Sequence, residues 1–296
     1  MFSDIINKVL SRQVDYSEEL RVLEYYIKGL LELNARLSHL APFAHHKGKR
    51  IRSILYFTNW EKFSSVSRET KYKTIALIEL IHFASLLHDD VIDNNMTRRN
   101  ASSFVQKYGH KSSIVFGDVL FVKVIDEFLK LHDNNNLVKN FCLKTCASTA
   151  YGALLERHLT IDSSFQECLK MSALKTSSLF ELSCFLGAYL SSNDFQKAKA
   201  SAIAGLCFGI LFQFHNDIKD YSAPSFEKSE DFMQKNITMP LLLLRDFFQF
   251  DLSKFNSTNQ PTYDEIKKLM HTPEFQVYAF DVLSKYHKRI TSLPGF

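Results

Sequence analysis

Three aspartates close together are the first residues in this sequence whose types and spacing suit chemistry. The apolar stretch Ile75–Leu87, IALIELIHFASLL, runs directly into His88, Asp89, Asp90, Val91, Ile92 and Asp93. A helix apolar on all sides is normally buried, so a buried helix here ends in negative charge, at the end where its own dipole disfavours carboxylates. A positive group must compensate. Asp89 and Asp93 are four residues apart, with Cβ atoms about 5–6 Å apart on one helical face, while Asp90 turns away. Hard cations take carboxylate oxygens, and Mg2+ in particular uses one or two carboxylates, keeps water and bridges to phosphates. Arg98 and Arg99 follow at once, and guanidinium forks fit phosphate oxygens.

An isolated pair of aspartates is ordinarily a solvated helix end; its repetition argues for more. A second, nearly apolar run beginning near Ala200 reaches Gln213, Asn216, Asp217 and Asp220. Two buried helices with acidic ends are explained by a shared metal–diphosphate site. Upstream, His45 to Arg52 reads HHKGKRIR, a set of basic residues around Gly48 leading into a helix. Cations oppose the dipole there, whereas an anion would be held by both backbone N–H groups and side chains, so the stretch reads as a phosphate clamp or a solvated basic turn. The adjacent His45 and His46 have no nearby carboxylate and make poor metal ligands. Lys175, followed by Thr176 and Ser177, lies in an otherwise apolar helical pattern. A lysine there is rarely unpaired, so this one is expected to face an anion, the alternative being a surface lysine on the helix's polar face. Gln213 is expected to be a buried amide in need of partners.

The elements that must position these groups are helices. Only nine Gly and six Pro occur in 296 residues, and no run alternates apolar and polar residues between tight turns, so the fold class is all-α. Helices are expected over Ile51–Phe63, Ser112–Leu131, Leu137–Thr160, Phe165–Leu190, Phe195–Tyr221, Thr262–Met270 and Pro273–Ile290, with a leucine-rich helix opening at Thr238-Met239-Pro240. A polar link, Ser64–Lys73, precedes the first acidic helix. Gly205 and Gly209, four apart, allow another helix close approach. Hydrophobic content of 46% supports a sizeable core, and residues 1–296 read as a single domain.

The net charge of +4, from 36 basic and 32 acidic residues, is too weak and dispersed to argue for nucleic acid; it eases contact with anionic substrates or a membrane surface. Five cysteines, odd in number and without metal spacing, read as reduced packing residues. No signal-peptide pattern and no uninterrupted apolar run of about 18 residues is present, so a soluble, cytoplasmic protein is expected.

These pieces resemble the trans-isoprenyl diphosphate synthases, the polyprenyl synthetase family, and within it medium- and long-chain members such as octaprenyl diphosphate synthase. The likeness runs from Gly48-Lys49-Arg50-Ile51-Arg52 to Pro240, and its most specific stretch is LIHFASLLHDDVIDNNMTRR, Leu80 to Arg99. Gly117-Asp118, Lys175-Thr176 and Phe212-Gln213 also match. The resemblance implies a helical bundle around a central cavity, a homodimer, and three Mg2+ between the two acidic clusters. It implies head-to-tail condensation of isopentenyl diphosphate with an allylic diphosphate. Asp89 and Asp93 would bind metal with Asp90 in support, joined by Asn216, Asp217 and Asp220. Arg98 would hold the allylic diphosphate. Lys49, Arg52, His82 and Arg99 would hold isopentenyl diphosphate, and Lys175, Thr176 and Gln213 would contact the allylic diphosphate and shield the cation.

The sequence departs from the family in places. Asn216 stands where an aspartate usually ligates metal, and Asn236 where a lysine usually binds phosphate, with Lys235 beside it as a substitute. Ser53 and Asn100 replace a usual proline and glycine. Beneath Asp89 the growing chain would pass Ser85 and Ala84, about 6–7.5 Å back along the helix, and then Ile81. Family members that stop at fifteen carbons commonly carry an aromatic there, so the small residues favour twenty carbons or more. Two alternatives share features. A class I terpene cyclase or head-to-head synthase has the same fold, but Asp220 and Pro224 stand where the cyclase Asn-Asp element has Ser/Thr and Glu, and a cyclase needs no second diphosphate site. A weakly active or regulatory subunit of a heteromeric synthase is kept open by Asn216 and Asn236, although such subunits usually lose the first aspartate motif.

Overall fold

Apolar residues at helical spacing become helices along almost the whole chain. The computed structural model describes residues 2–32, 37–44, 48–61, 64–98, 101–256 and 259–291. In order these form α1 (Phe2–Ser11), α2 (Ser17–Glu32), α3 (Ala41–Ala44), α4 (Ile51–Thr58), α5 (Arg68–Ile92), the two-residue strands β1 (Thr97–Arg98) and β2 (Ala101–Ser102), α6 (Phe104–Leu131), α7 (Asn136–Glu156), α8 (Phe165–Ser172), α9 (Ser178–Ser192), α10 (Phe195–Asp220), α11 (Glu230–Gln234), α12 (Met239–Phe248), α13 (Gln260–Met270) and α14 (Pro273–Thr291). The antiparallel pair β1–β2, Thr97 opposite Ser102 and Arg98 opposite Ala101, is the only strand pairing among the described residues. The fold is all-α.

Local chemistry sets the boundaries. Ser67 and Ser103 cap α5 and α6 by accepting from Thr70 N and Gln106 N, and Ser164 with Glu167 forms a reciprocal capping box on α8. Several expected boundaries move. α4 stops at Thr58, where the Asn59 amide donates to Leu55 O. α5 begins at Arg68, within the stretch expected to be a link. The helix expected over Phe165–Leu190 is broken by a π-helical segment, Ala173–Ser177, between α8 and α9. α6 begins earlier than expected and kinks at Gly109, whose φ of 80° suits glycine.

The chain packs as two compact units. The first comprises Val9–Cys146 and Leu182–Lys199; the second comprises Met1–Lys8, Ala147–Glu181 and Ala200–Phe296. In the first, Ile54 and Tyr56 of α4, Ile75, Ile78 and Ile81 of α5, and Leu120 and Phe128 of α6 are fully enclosed. In the second, Phe180 meets Phe208 and Phe212 edge to face, Phe232 meets Tyr263, and Leu241–Leu244 of α12 are buried. All five cysteines are buried free thiols. α10 is long and apolar enough to cross a membrane by composition alone, but 56% of that window is buried inside the protein, as for a core helix.

Candidate functional site

In the first unit, the end of α5 carries a half-buried polar stripe. His82, Ser85, Asp89 and Asp93 are half-buried, while Ile81, Ala84, Leu87 and Asp90 are buried. The three- and four-residue spacing of the first set puts them on one helical face. Asp90 therefore turns inward, as expected, and is 3% exposed. The helix closes with Asn94 at φ 52° and two returning bonds, Asn95 N to Asp90 O at 2.9 Å and Asn94 N to Val91 O at 3.3 Å. This is a Schellman closure with asparagine in the left-handed position, so the last carbonyls are satisfied while the Asp89 and Asp93 side chains stay on the half-buried stripe. Ala84 and Ile81 have no accessible surface. Ser85 is half-buried, and its hydroxyl donates to His82 O at 2.7 Å.

His88 lies against α6. Its Nε2 is 3.2 Å from Asp118 Oδ1 and 3.3 Å from Ile114 O, and a Cβ on Gly117 would come 2.7 Å from the His88 ring carbon Cδ2. Gly117-Asp118 thus forms the seat of the histidine that precedes the aspartates. Lys49 is exposed and Arg52 half-buried around the start of α4. The Arg98 side chain and the whole of Arg99 lie outside the described residues, as do His45, His46 and Lys47.

The second unit carries the remaining candidates. Two glycines on neighbouring helices approach the π-helical segment so closely that a Cβ on Gly152 would lie 2.6 Å from Lys175 Cα, and one on Gly209 would lie 2.5 Å from Ser177 Cα. Gly209 thus fulfils the expected close approach. A π turn shifts side chains out of α-helical phase, and here it delivers both functional groups. Lys175 Nζ reaches Glu156 Oε2 at 2.5 Å, so the anion it faces in this structure is a carboxylate of the protein. Thr176 Oγ1 donates to Gln213 Oε1 at 3.0 Å, and Gln213 Nε2 donates to Asp217 Oδ1 at 2.6 Å. Gln213 is half-buried rather than buried, and its amide links the threonine to the acidic end of α10.

At that end Asn216 and Asp220 are half-buried and Asp217 is buried. Asp220 is largely committed elsewhere: Oδ1 accepts from Glu230 N at 3.0 Å, and Oδ2 accepts from Asp231 N at 3.1 Å and from the Ser229 hydroxyl. It anchors the start of α11. Asn236 donates to Asp231 Oδ1 and Gln234 Oε1, each at 3.1 Å. Lys235 is exposed, in a left-handed conformation that ends α11.

Sequence reasoning missed four carboxylates. Glu156 and Asp231 belong to this acidic end, and Glu24 and Glu79 bind the basic turn of the first unit. Burial, followed by the charge of Asp231, pushes the Asp217 carboxyl well up, against the Gln213 hydrogen bond. Burial, followed by Asp220, pushes Asp231 up to about 7, with Asn236 pulling the other way and Glu156 and Glu230 adding to the rise. Asp217, Asp220, Asp231, Glu156 and Glu230 thus act on one another, while Glu156 meets the ammonium of Lys175 and the guanidinium of Arg157, the latter at 3.3 Å. Such an excess of hard oxygen donors fits a divalent cation. Among the described residues, no three His, Cys, Asp or Glu side chains are already gathered as a metal shell.

The family whose sequence pattern matches is polyprenyl synthetase, over residues 35–269. A decaprenyl-diphosphate synthase from Dictyostelium discoideum is 33% identical over 61% of this chain and 39% of its own length. A geranylfarnesyl diphosphate synthase from Methanosarcina mazei is 30% identical over 73% of each. A polyprenyl synthase from Caulobacter crescentus, crystallised with calcium and isoprenyl diphosphate, superposes with a TM-score of 0.80 over 96% of this chain and 90% of its own, at 22% identity.

Proposed function

The chain belongs to the polyprenyl synthetase family of prenyltransferases, and from that premise we propose that it condenses isopentenyl diphosphate head-to-tail with an allylic diphosphate to give an all-trans polyprenyl diphosphate of twenty carbons or more. The observation that carries this reading is the acidic excess at Asp217 and Asp231, linked through Gln213 to Thr176 and through Glu156 to Lys175. Without a cation these carboxyls hold protons; a bound cation relieves the excess in their ionised form, and a cation so placed suits a diphosphate leaving group. Asp89 and Asp93 on α5, and Asp217 with Asn216 and Asp220 on α10, would hold Mg2+, which when bound neutralises the departing diphosphate. Lys175 and Arg98 bind the allylic diphosphate. The carbonyl of Gln213 keeps the Thr176 hydroxyl directed, and the two together supply fixed dipoles for the developing cation. Lys49, Arg52, His82 and Arg99 bind isopentenyl diphosphate. Ser85, small and on the half-buried stripe beneath Asp89, leaves room for a growing tail.

The protein acts as a cytoplasmic homodimer in this reading. Val115, Val119 and Val122 of α6 are exposed, with Val122 66% open, and their spacing makes an apolar stripe suited to a second copy.

The test is to incubate the purified chain with Mg2+, isopentenyl diphosphate and either geranyl or farnesyl diphosphate, then to weigh the dephosphorylated products. Elongated prenols of twenty carbons or more are expected from both primers. A fifteen-carbon end product from geranyl diphosphate would refute the length assignment, and no consumption of isopentenyl diphosphate would refute the reaction. One observation favours a subunit that needs a partner: the Asn236 amide is spent on Asp231 and Gln234, where a lysine would offer charge. Activity gained only on adding a partner chain would decide for that reading.

A further inference from the structure

The basic turn before α4 contains an arginine that does not face solvent. Arg50 is flanked by Lys49, exposed, and Arg52, half-buried, yet its own side chain is 11% exposed. Its guanidinium is bound on three sides: Nε donates to Glu24 Oε1 of α2 at 2.7 Å, one terminal nitrogen donates to Glu79 Oε2 of α5 at 3.0 Å, and the other donates to Ala44 O at 2.9 Å. Glu79, 4% exposed, also accepts from the Ser53 hydroxyl at 2.5 Å. Burial opposes its charge, but Arg50, Ser53 and Arg52 outweigh burial and hold its pKa below the ordinary value. The pair is therefore ionised, and all of it lies in the first unit.

The backbone explains why so much is spent on one side chain. Arg50 has φ 47° and ψ 35°, a left-handed conformation that costs an L residue other than glycine about 1–2 kcal/mol. No glycine stands there to adopt it freely, and the three bonds of the guanidinium hold it instead. That single left-handed residue fixes the direction in which the chain enters α4, and so where Lys49, just before it, and Arg52, just after it, carry their charge. His82 lies three residues beyond Glu79, on the same side of α5. One buried carboxylate thus ties the clamp to the helix that carries His82 and the aspartates.

We propose that Glu79 and Arg50, with Glu24 at the rim, are positioning residues for the isopentenyl diphosphate subsite, locking the left-handed turn that presents Lys49 and Arg52. The inference rests on the proposed condensation. It assigns Arg50 no contact with substrate, because its charge is consumed by the two glutamates. Lysine cannot replace it, because an ammonium lacks the planar fork that spans two carboxylates and a carbonyl.

The experiment is a steady-state comparison of the wild type with Glu79→Gln, Arg50→Lys and Glu24→Gln, varying each substrate at saturation of the other, with urea unfolding of every variant. KM for isopentenyl diphosphate should rise roughly tenfold in Glu79→Gln and Arg50→Lys and about threefold in Glu24→Gln. KM for the allylic diphosphate, and kcat at saturation, should stay within about twofold of wild type. Equal changes in both KM values, or an unfolding midpoint that falls while both stay unchanged, would overturn the inference. Should Glu79→Gln not fold, Glu24→Gln decides alone, since Glu24 is 36% exposed and its loss leaves the buried pair intact. A wild type that consumes no isopentenyl diphosphate overturns the condensation itself, an outcome distinct from an active wild type whose variants show no selective shift.

Discussion

Substituting alanine at Gly152 or Gly209 tests whether the π-helical segment is held in place by its neighbours. A Cβ at position 152 would sit 2.6 Å from Lys175 Cα, and one at 209 would sit 2.5 Å from Ser177 Cα. Carbon atoms rest comfortably at about 3.5 Å or more, so the segment must retreat by roughly 0.9–1.0 Å. The atoms in the way are backbone and cannot rotate aside. Overpacking of this kind costs about 1–3 kcal/mol. A retreat of that size also lengthens the contacts of Lys175 with Glu156 and of Thr176 with Gln213, now 2.5 and 3.0 Å, beyond hydrogen-bonding reach. A misplacement of about 1 Å lowers turnover roughly a hundredfold. Gly29 is the control: it lies inside α2 and nothing stands within 4 Å of its added Cβ, so Gly29→Ala should stabilise by about 0.5–1 kcal/mol. Urea unfolding and kcat measured on all three variants give opposite signs for one chemical change. Gly152→Ala and Gly209→Ala proteins as stable as wild type, with turnover within twofold, would refute the reasoning.

Two further outcomes follow from charge and from surface. With metal chelated, Asp231 holds its proton up to about pH 7, against an ordinary 3.8; at this residue the folded protein then binds more protons than the unfolded chain, so the contribution of Asp231 to stability is full below about pH 4 and is lost as pH rises through 7. The loss approaches roughly 4 kcal/mol at about 1.4 kcal/mol per pH unit; Asp231→Asn should flatten it in urea titrations at pH 5 and 8, and a variant with the wild-type slope would disprove the assignment. On α6, replacing Val115 and Val122 together by glutamate should convert a homodimer to a monomer in light scattering, whereas an unchanged mass would remove that helix from the interface.

Short-range pattern was enough for much of this protein. Helical spacing and the scarcity of Gly and Pro gave the all-α class, and the steps of four and three between Asp89, Asp93, Gln213, Asn216 and Asp217 were readable because helix geometry is local. The same period made Asp90 turn inward. Boundaries were less legible where the decisive group lay elsewhere in the chain. The π-helical segment that divides the helix expected over Phe165–Leu190 is pressed by Gly152 and Gly209, one 23 residues before Lys175 and the other 32 residues after Ser177.

The partners of the functional residues were decided in three dimensions. Glu24 and Glu79 meet Arg50 from 26 and 29 residues away, and Glu156 meets Lys175 across 19. No periodicity connects such positions; only packing brings them together, and burial then makes each meeting strong by removing water. Asp220 and Asp231 illustrate the same division. The family resemblance implies Asp220 as a metal ligand; in the fold its oxygens also accept from the start of α11, and the unremarked, half-buried Asp231 acts on Asp217. The types of group needed for the chemistry are written locally along helices, whereas their charge states depend on what distant carboxylates the tertiary structure sets beside them.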